Sequence, residues 1–271
     1  MRSTPPKALS PLALLLAAAC ATPAASPAEA TAPPALAIPY RVLILGDSIS
    51  IGYTPFVRQE LEGVAEVVRP MRSRAEGASP RPENCEGTNK GVGSIERWLA
   101  MEGGPFDVIH FNFGLHDMKR VDPASGRNSN DPLDPHQASP ERYQRQLLEI
   151  TRRLKASGAR LIFATTTPVP PGELRPYREP ADAVEYNRLA LEVMGAEGVG
   201  VNDLFGFIEA ADPDLRKPAD VHFTRKGSRA LGGAVAAAVR ALAGTPPPEA
   251  GAPDRSTRGG RPPSALKEMA D

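Results

Sequence analysis

Cysteine is scarce in this sequence of 271 residues, which holds only Cys20 and Cys85. One pair cannot build a disulfide framework, and loss or lipidation of Cys20 with an amino-terminal signal leaves Cys85 without a partner. Charge of one sign is missing too. Lys plus Arg and Asp plus Glu both number 32, so there is no electrostatic footprint for nucleic acid or an anionic membrane. No apolar stretch approaches the roughly 20 residues of a membrane span. What is present is ordinary globular material, 41% hydrophobic and 24% charged, enough for one large buried core. Proline is the exception at 30, with eight in residues 1–40 and six in 244–271, so the two ends differ in composition from the middle.

The amino end has the form of an export signal. Arg2 and Lys7 precede the apolar run Leu12 to Ala19, which stops at Cys20. Leu14-Leu15-Leu16-Ala17-Ala18-Ala19-Cys20 resembles a bacterial lipobox, with Ala17 where a branched residue is usual. Two fates stay open for residues 1–20, lipidation at Cys20 or plain signal-peptidase cleavage. Either exports the protein, to the periplasm, a membrane anchor or the medium. Residues 21–39 read as a Pro/Ala tether and 244–271 as a disordered tail, both too poor in large apolar side chains to pack.

Between them, residues 40–243 alternate strand and helix patterns without an internal repeat. Continuous apolar runs at 41–47, 106–113 and 160–167 predict strands buried on both faces, and weaker candidates at 65–69 and 199–204 bring the strands to five. Helical spacing joins Phe56, Val57 and Leu61; Ile95, Trp98 and Leu99; and Tyr143, Leu147, Ile150 and Leu154 behind the cap Ser139-Pro140-Glu141. Residues 183–194 and 228–242 supply two more helices. This order predicts a single α/β domain, a three-layer α/β/α sandwich on a five-stranded parallel sheet. Ligands of such sheets bind beyond the carboxyl ends of the strands.

Three segments stand at those ends. Gly46-Asp47-Ser48-Ile49-Ser50-Ile51-Gly52 puts Ser48 at a helix start, where amide dipoles favour developing negative charge. Gly114-Leu115-His116-Asp117 follows the second run. Asp220-Val221-His222-Phe223-Thr224 enters the last helix, with a carboxylate able to orient one ring nitrogen of His222 and free the other as a base. Taken singly, each has a plain reading: Ser48 as a helix cap, His116 and His222 as satisfied loop histidines, Cys85 as a small half-buried loop residue.

Together, in this order and spacing, the segments resemble the blocks of the SGNH hydrolases, the GDSL esterase/lipase family, over about residues 40–243. The resemblance implies a flavodoxin-like fold and a serine esterase that needs no metal or organic cofactor. It implies Ser48 as nucleophile, His222 as base and Asp220 as acid. The Ser48 N–H, a glycine N–H and His116 then form the oxyanion hole, with Gly87 the candidate glycine and Gly91 also fitting. Two departures stand out. His116 replaces the family's asparagine, as in a bacterial subset with Phe-Asn-Phe-Gly-Leu-His-Asp, so an imidazole N–H whose tautomer a neighbour must fix replaces an amide. The family's Asp-x-x-His would put the acid at Ala219, and Asp220 is one residue closer to His222, so Asp203 and Asp214 stay open as alternatives.

The segment 119–139 is polar, carries Pro123, Pro132 and Pro135, and has no amphipathic lid; aromatics are only 5%. This favours a short acyl group such as acetyl on a polar carrier, and the family resemblance extends that to a small-molecule or glycan ester. Two rival classes are a non-catalytic exported binding protein on the same fold and a metal-dependent phosphoesterase. The second lacks an early Asp-x-His and has few histidines. An α/β-hydrolase is disfavoured because no Gly-x-Ser-x-Gly occurs.

Overall fold

Strand β1 (Tyr40–Leu45) illustrates how the sheet is held: Val42 and Ile44 point to one face, Leu43 and Leu45 to the other, and all four are buried. A strand covered on both sides has no room for polar alternation, which is why it reads as an unbroken apolar run. The computed structural model describes residues 34–73 and 78–244. Chain order continues with α1 (Ser48–Glu60), β2 (Ala65–Val68), β3 (Met71–Arg72), β4 (Arg81–Pro82), α2 (Thr88–Leu99) and β5 (Val108–Phe111). Then come α3 (Pro140–Ala156), β6 (Arg160–Ala164), α4 (Pro180–Glu197), β7 (Gly200–Asn202), α5 (Leu204–Glu209) and α6 (Arg225–Ala243).

The main sheet runs β2-β1-β5-β6-β7, all parallel, in the register Leu43–Ile109–Leu161 across its centre. Helices α2, α3 and α4 cover one face over Leu43, Leu45, Ile109, Phe111 and Phe163. Helices α1 and α6 cover the other over Val42, Ile44, Val108 and Ile162. Each such buried Leu or Ile contributes about 2–5 kcal/mol against truncation to Ala. The expected three-layer α/β/α sandwich is therefore the observed fold. The strand order reverses direction between β1 and β5, and the crevice beyond that point is where this topology leaves space for a ligand.

Differences from the expected boundaries have local causes. The first strand stops at Leu45, since Asp47 is already the cap of α1. The third run ends as strand at Ala164, where β7 stops pairing. The antiparallel pair β3–β4 and the six-residue α5 were not anticipated. The tether expected over 21–39 ends sooner. Leu36 packs beneath α6, its N–H donates to the Ala243 carbonyl at 2.8 Å, and Arg160 donates to the Pro34 carbonyl at 2.5 Å. One leucine and two backbone groups suffice to dock residues 34–39. The signal, the rest of the tether and most of the tail lie outside the described residues.

Candidate active site

The turn after β1 is built to present Ser48. Asp47 caps α1, its carboxylate accepting from the Ile49 N–H at 2.9 Å, while the Ser50 hydroxyl donates back to the Asp47 carbonyl at 2.7 Å. Ser48 is thus the first residue of α1, where a backbone N–H has no intrahelical acceptor and the helix dipole is positive. Behind the turn lies Arg69, buried, which donates to the carbonyls of Gly46 at 3.4 Å and Glu83 at 2.9 Å and to Thr54 at 3.0 Å. Arg69 ties the Ser48 turn, α1 and the segment before α2 together. No local motif marks it in the sequence.

Ser48 Oγ lies 2.8 Å from His222 Nε2, and His222 Nδ1 lies 2.6 Å from Asp220 Oδ1. The same Asp220 oxygen also accepts the backbone N–H of His222 at 3.0 Å. Burial raises the Asp220 pKa, but these two hydrogen bonds, together with the charges of His222 and Lys217, hold the carboxyl below its ordinary value. The shortened spacing is absorbed by Ala219, whose φ of +51° is left-handed. The segment is anchored on both sides: Lys217 N–H donates to the His222 carbonyl at 3.1 Å, and Thr224 caps α6. The alternative acids are elsewhere. Asp203 caps α5 and accepts from Thr165 at 2.9 Å, and Asp214 sits in a 3₁₀ turn with its carbonyl accepting from Thr224.

Gly87 and Gly91 separate clearly. Gly91 lies inside α2, its N–H already donates to the Gly87 carbonyl at 3.1 Å, and its missing side chain makes room for Ile150 and Phe113. Gly87 is the cap residue of α2 and has no side chain because Asp117 fills the space: a Cβ there would stand 2.7 Å from Asp117 Oδ1. Asp117, fully buried, accepts from the Thr88 N–H at 2.8 Å and hydroxyl at 2.6 Å, while its Oδ2 has no partner; burial pushes its pKa up to about 6. The Gly114–Asp117 segment thereby fixes the α2 start.

His116 lines the same cleft as Ser48 and His222. Burial first, then Lys119 and Arg178, push its pKa down to about 3, so the ring is neutral. Its Nδ1 is buried with no partner, and no neighbour bonds the ring. The expected tautomer-fixing neighbour is therefore missing among the described residues. An orphaned buried N–H is rarer than an orphaned acceptor, which favours the tautomer with its proton on Nε2. Cys85 is fully buried rather than half-buried, and burial raises its thiol to about 11, which removes it as a nucleophile at neutral pH.

The cleft holds about 580 Å³, space for a group the size of a monosaccharide. Its wall includes three residues that sequence reasoning passed over, Asn84, Lys119 and Arg178. Among the described residues no group of three His, Cys, Asp or Glu side chains is arranged to hold a metal, and no helix is long and apolar enough to cross a membrane.

Residues 44–230 match the model of the GDSL-like lipase/acylhydrolase family. The chain belongs to this family. As a GDSL hydrolase it acts on carboxylic esters. Its fold is similar to that of a lipase/acylhydrolase from Enterococcus faecalis, at 16% identity over 78% of this chain and 100% of that one, with a TM-score of 0.57. It is also similar to LAE5, an alpha/beta hydrolase enzyme from the metagenome of Lake Arreo, Spain, at 16% identity, 77% and 97% coverage and a TM-score of 0.56. A third is the acetyl xylan esterase AlAXEase, at 14% identity, 73% and 99% coverage and a TM-score of 0.53. At such identities these structures speak to the fold alone. No curated protein sequence matches the GDSL hydrolase described here.

Proposed function

We propose that the protein is a serine esterase that removes a short acyl group, such as acetyl, from a polar or carbohydrate carrier through an acyl-serine intermediate. The observation that carries this reading is the unbroken chain from Ser48 Oγ through His222 to Asp220, at 2.8 and 2.6 Å. Ser48 Oγ attacks the ester carbonyl while His222 Nε2 takes its proton. Negative charge gathers on the carbonyl oxygen, where the Ser48 N–H, the Gly87 N–H and His116 Nε2–H donate to it. Protonated His222, stabilised by Asp220, then gives the proton to the leaving alcohol oxygen as the C–O bond breaks. Water, deprotonated by His222, attacks the acyl-serine, and the acid departs with Ser48 restored.

A cleft walled by Asn84, His116, Lys119 and Arg178 suits a polar carrier better than a long acyl chain. The charged start and short apolar run before Cys20 support export, with lipidation or cleavage as its form. The test is turnover of p-nitrophenyl acetate, butyrate and octanoate by the parent and Ser48→Ala. The expected result is activity greatest on acetate and lost in the variant. Activity that survives Ser48→Ala, or that rises with chain length, contradicts the reading.

A further inference from the structure

Lys119 and Arg178 are 8% and 6% exposed, yet both line the cleft that holds Ser48. Among the described residues neither is in ion-pair contact with a carboxylate. Asp117 and Glu86 attract Lys119, and Asp47 attracts Arg178, through space without contact. Glu86 pairs with Lys90 at 3.0 Å, Asp117 accepts from Thr88, Asp47 accepts from the Ile49 N–H, and Asp220 pairs with His222. Glu173 stands exposed at the rim of the cleft. Arg178 spends Nε on the Leu115 carbonyl at 2.8 Å and Nη1 on the Pro176 carbonyl at 3.3 Å, which anchors the strand-end loop beside His116 and leaves Nη2 free. Among the described residues Lys119 Nζ makes no hydrogen bond, and the side chain lines the cleft.

Removing two like charges from bulk water without an ion-pair contact is unfavourable even with carboxylates at longer range, and burial dominates on both. Burial first and Arg178 second lower the Lys119 pKa, and burial brings Arg178 down to about 10. A protein that needed only polar donors here has amides available, as at Asn84 and Asn128 on the same wall. Two desolvated cations facing one cavity form a receptor for an anion, and a guanidinium with a free N–H beside an ammonium suits a carboxylate.

We propose that the substrate carries a carboxylate besides its scissile ester, on its alcohol or its acyl side, seated against Lys119 and Arg178. This deepens the ester-hydrolase reading of the same cleft and rests on it. Neutral polysaccharide esters and simple lipid esters lack the group that this wall would hold.

The experiment is calorimetric titration of full-length Ser48→Ala with four ligands: an acetylated galacturonate, its neutral uronamide, an acetylated galactoside, and a galactoside hemisuccinate whose carboxylate lies on the acyl side. At least one acidic ester should bind about tenfold more tightly than its neutral counterpart, the weight of one charge-assisted hydrogen bond. Which of the two does so distinguishes the alcohol from the acyl side. Adding Lys119→Gln should bring that ratio close to one, whereas Arg178→Lys, which retains charge, should keep most of it. Each ratio compares two ligands on one protein, so a partial folding defect cancels. Ratios near one for both acidic esters, no binding of any ligand, or a preference that survives Lys119→Gln each overturn the proposal. Binding to Ser48→Ala requires no chemistry. Failure here is therefore distinct from failure of the esterase reading, which shows as absent turnover of p-nitrophenyl acetate by the parent.

Discussion

Asp220→Asn is expected to cost much less than the same change in a buried serine-protease triad, and the geometry says why. In the protease case the amide turns its NH2 toward histidine and traps the wrong tautomer, lowering kcat about 10⁴-fold. Here one oxygen of Asp220 accepts both the ring Nδ1–H at 2.6 Å and the backbone N–H of His222 at 3.0 Å. The backbone donor cannot flip, so the substituted amide is held with its oxygen toward both N–H groups and the tautomer is preserved. What is lost is the attraction between carboxylate and imidazolium. The two side chains are 39% and 42% exposed, so water screens that attraction. At about 4 Å between charge centres it lies between about 1 kcal/mol in water and about 4 kcal/mol at a surface dielectric near 20. A middle value of about 2.5 kcal/mol corresponds to roughly a 10²-fold loss in kcat. Asp220→Ala removes the acceptor as well and should lose roughly tenfold more, the worth of the charge-assisted hydrogen bond. Both variants should melt near the parent temperature, because the site is half exposed. The assay is kcat on p-nitrophenyl acetate beside a thermal melt. A 10⁴-fold loss in Asp220→Asn, or equal losses in the Asn and Ala variants, would refute the backbone-locked orientation.

His116→Asn should keep a measurable part of the activity because an amide can donate to the same oxyanion, whereas His116→Ala should lose on the order of 10²-fold in kcat; parent-like rates in both would remove His116 from the chemistry. Gly87→Ala puts a methyl 2.7 Å from Asp117 and should abolish ester hydrolysis along with a large drop in melting temperature. Gly91→Ala puts a methyl nearest the Ile150 side chain and the Phe113 ring, and should cost about 1–3 kcal/mol by denaturant titration while the folded fraction stays active. Asp117→Asn tests pH linkage. A carboxyl raised to about 6 from an ordinary 3.8 binds more protons folded than unfolded, so its ionisation costs stability as pH rises through that window. The variant should therefore melt above the parent at pH 8 and lose that advantage by pH 4; a constant difference across this range contradicts it.

Strands β1, β5 and β6 and the five longer helices were legible because each buries a continuous face, and the runs around Leu43, Ile109 and Ile162 have no polar side to blur the period; the edge strands β2 and β7 are only partly buried and gave weaker signals. Strands β3 and β4 are two residues each and exposed, and α5 contains Gly206 within six residues, so neither carries a period to read. At the site, Ser48, His116 and His222 were readable from short motifs after strands. The choice among Asp220, Asp203 and Asp214 was not, since it turns on one left-handed alanine that no propensity announces. Gly87 was the preferred glycine with Gly91 left open, and what separates them, Asp117 reaching across from another loop, was hidden. Arg69, Lys119 and Arg178 owe their roles to burial by distant segments, so nothing adjacent in sequence marks them.

The central claim is that Ser48 is the nucleophile, and reaction with a fluorophosphonate followed by intact-mass measurement and peptide mapping tests it most directly. The account predicts one adduct per chain, on the peptide bearing Ser48, abolished in Ser48→Ala and strongly slowed in His222→Ala. An unmodified parent that still hydrolyses esters, or an adduct that maps to another residue and persists in Ser48→Ala, would contradict it.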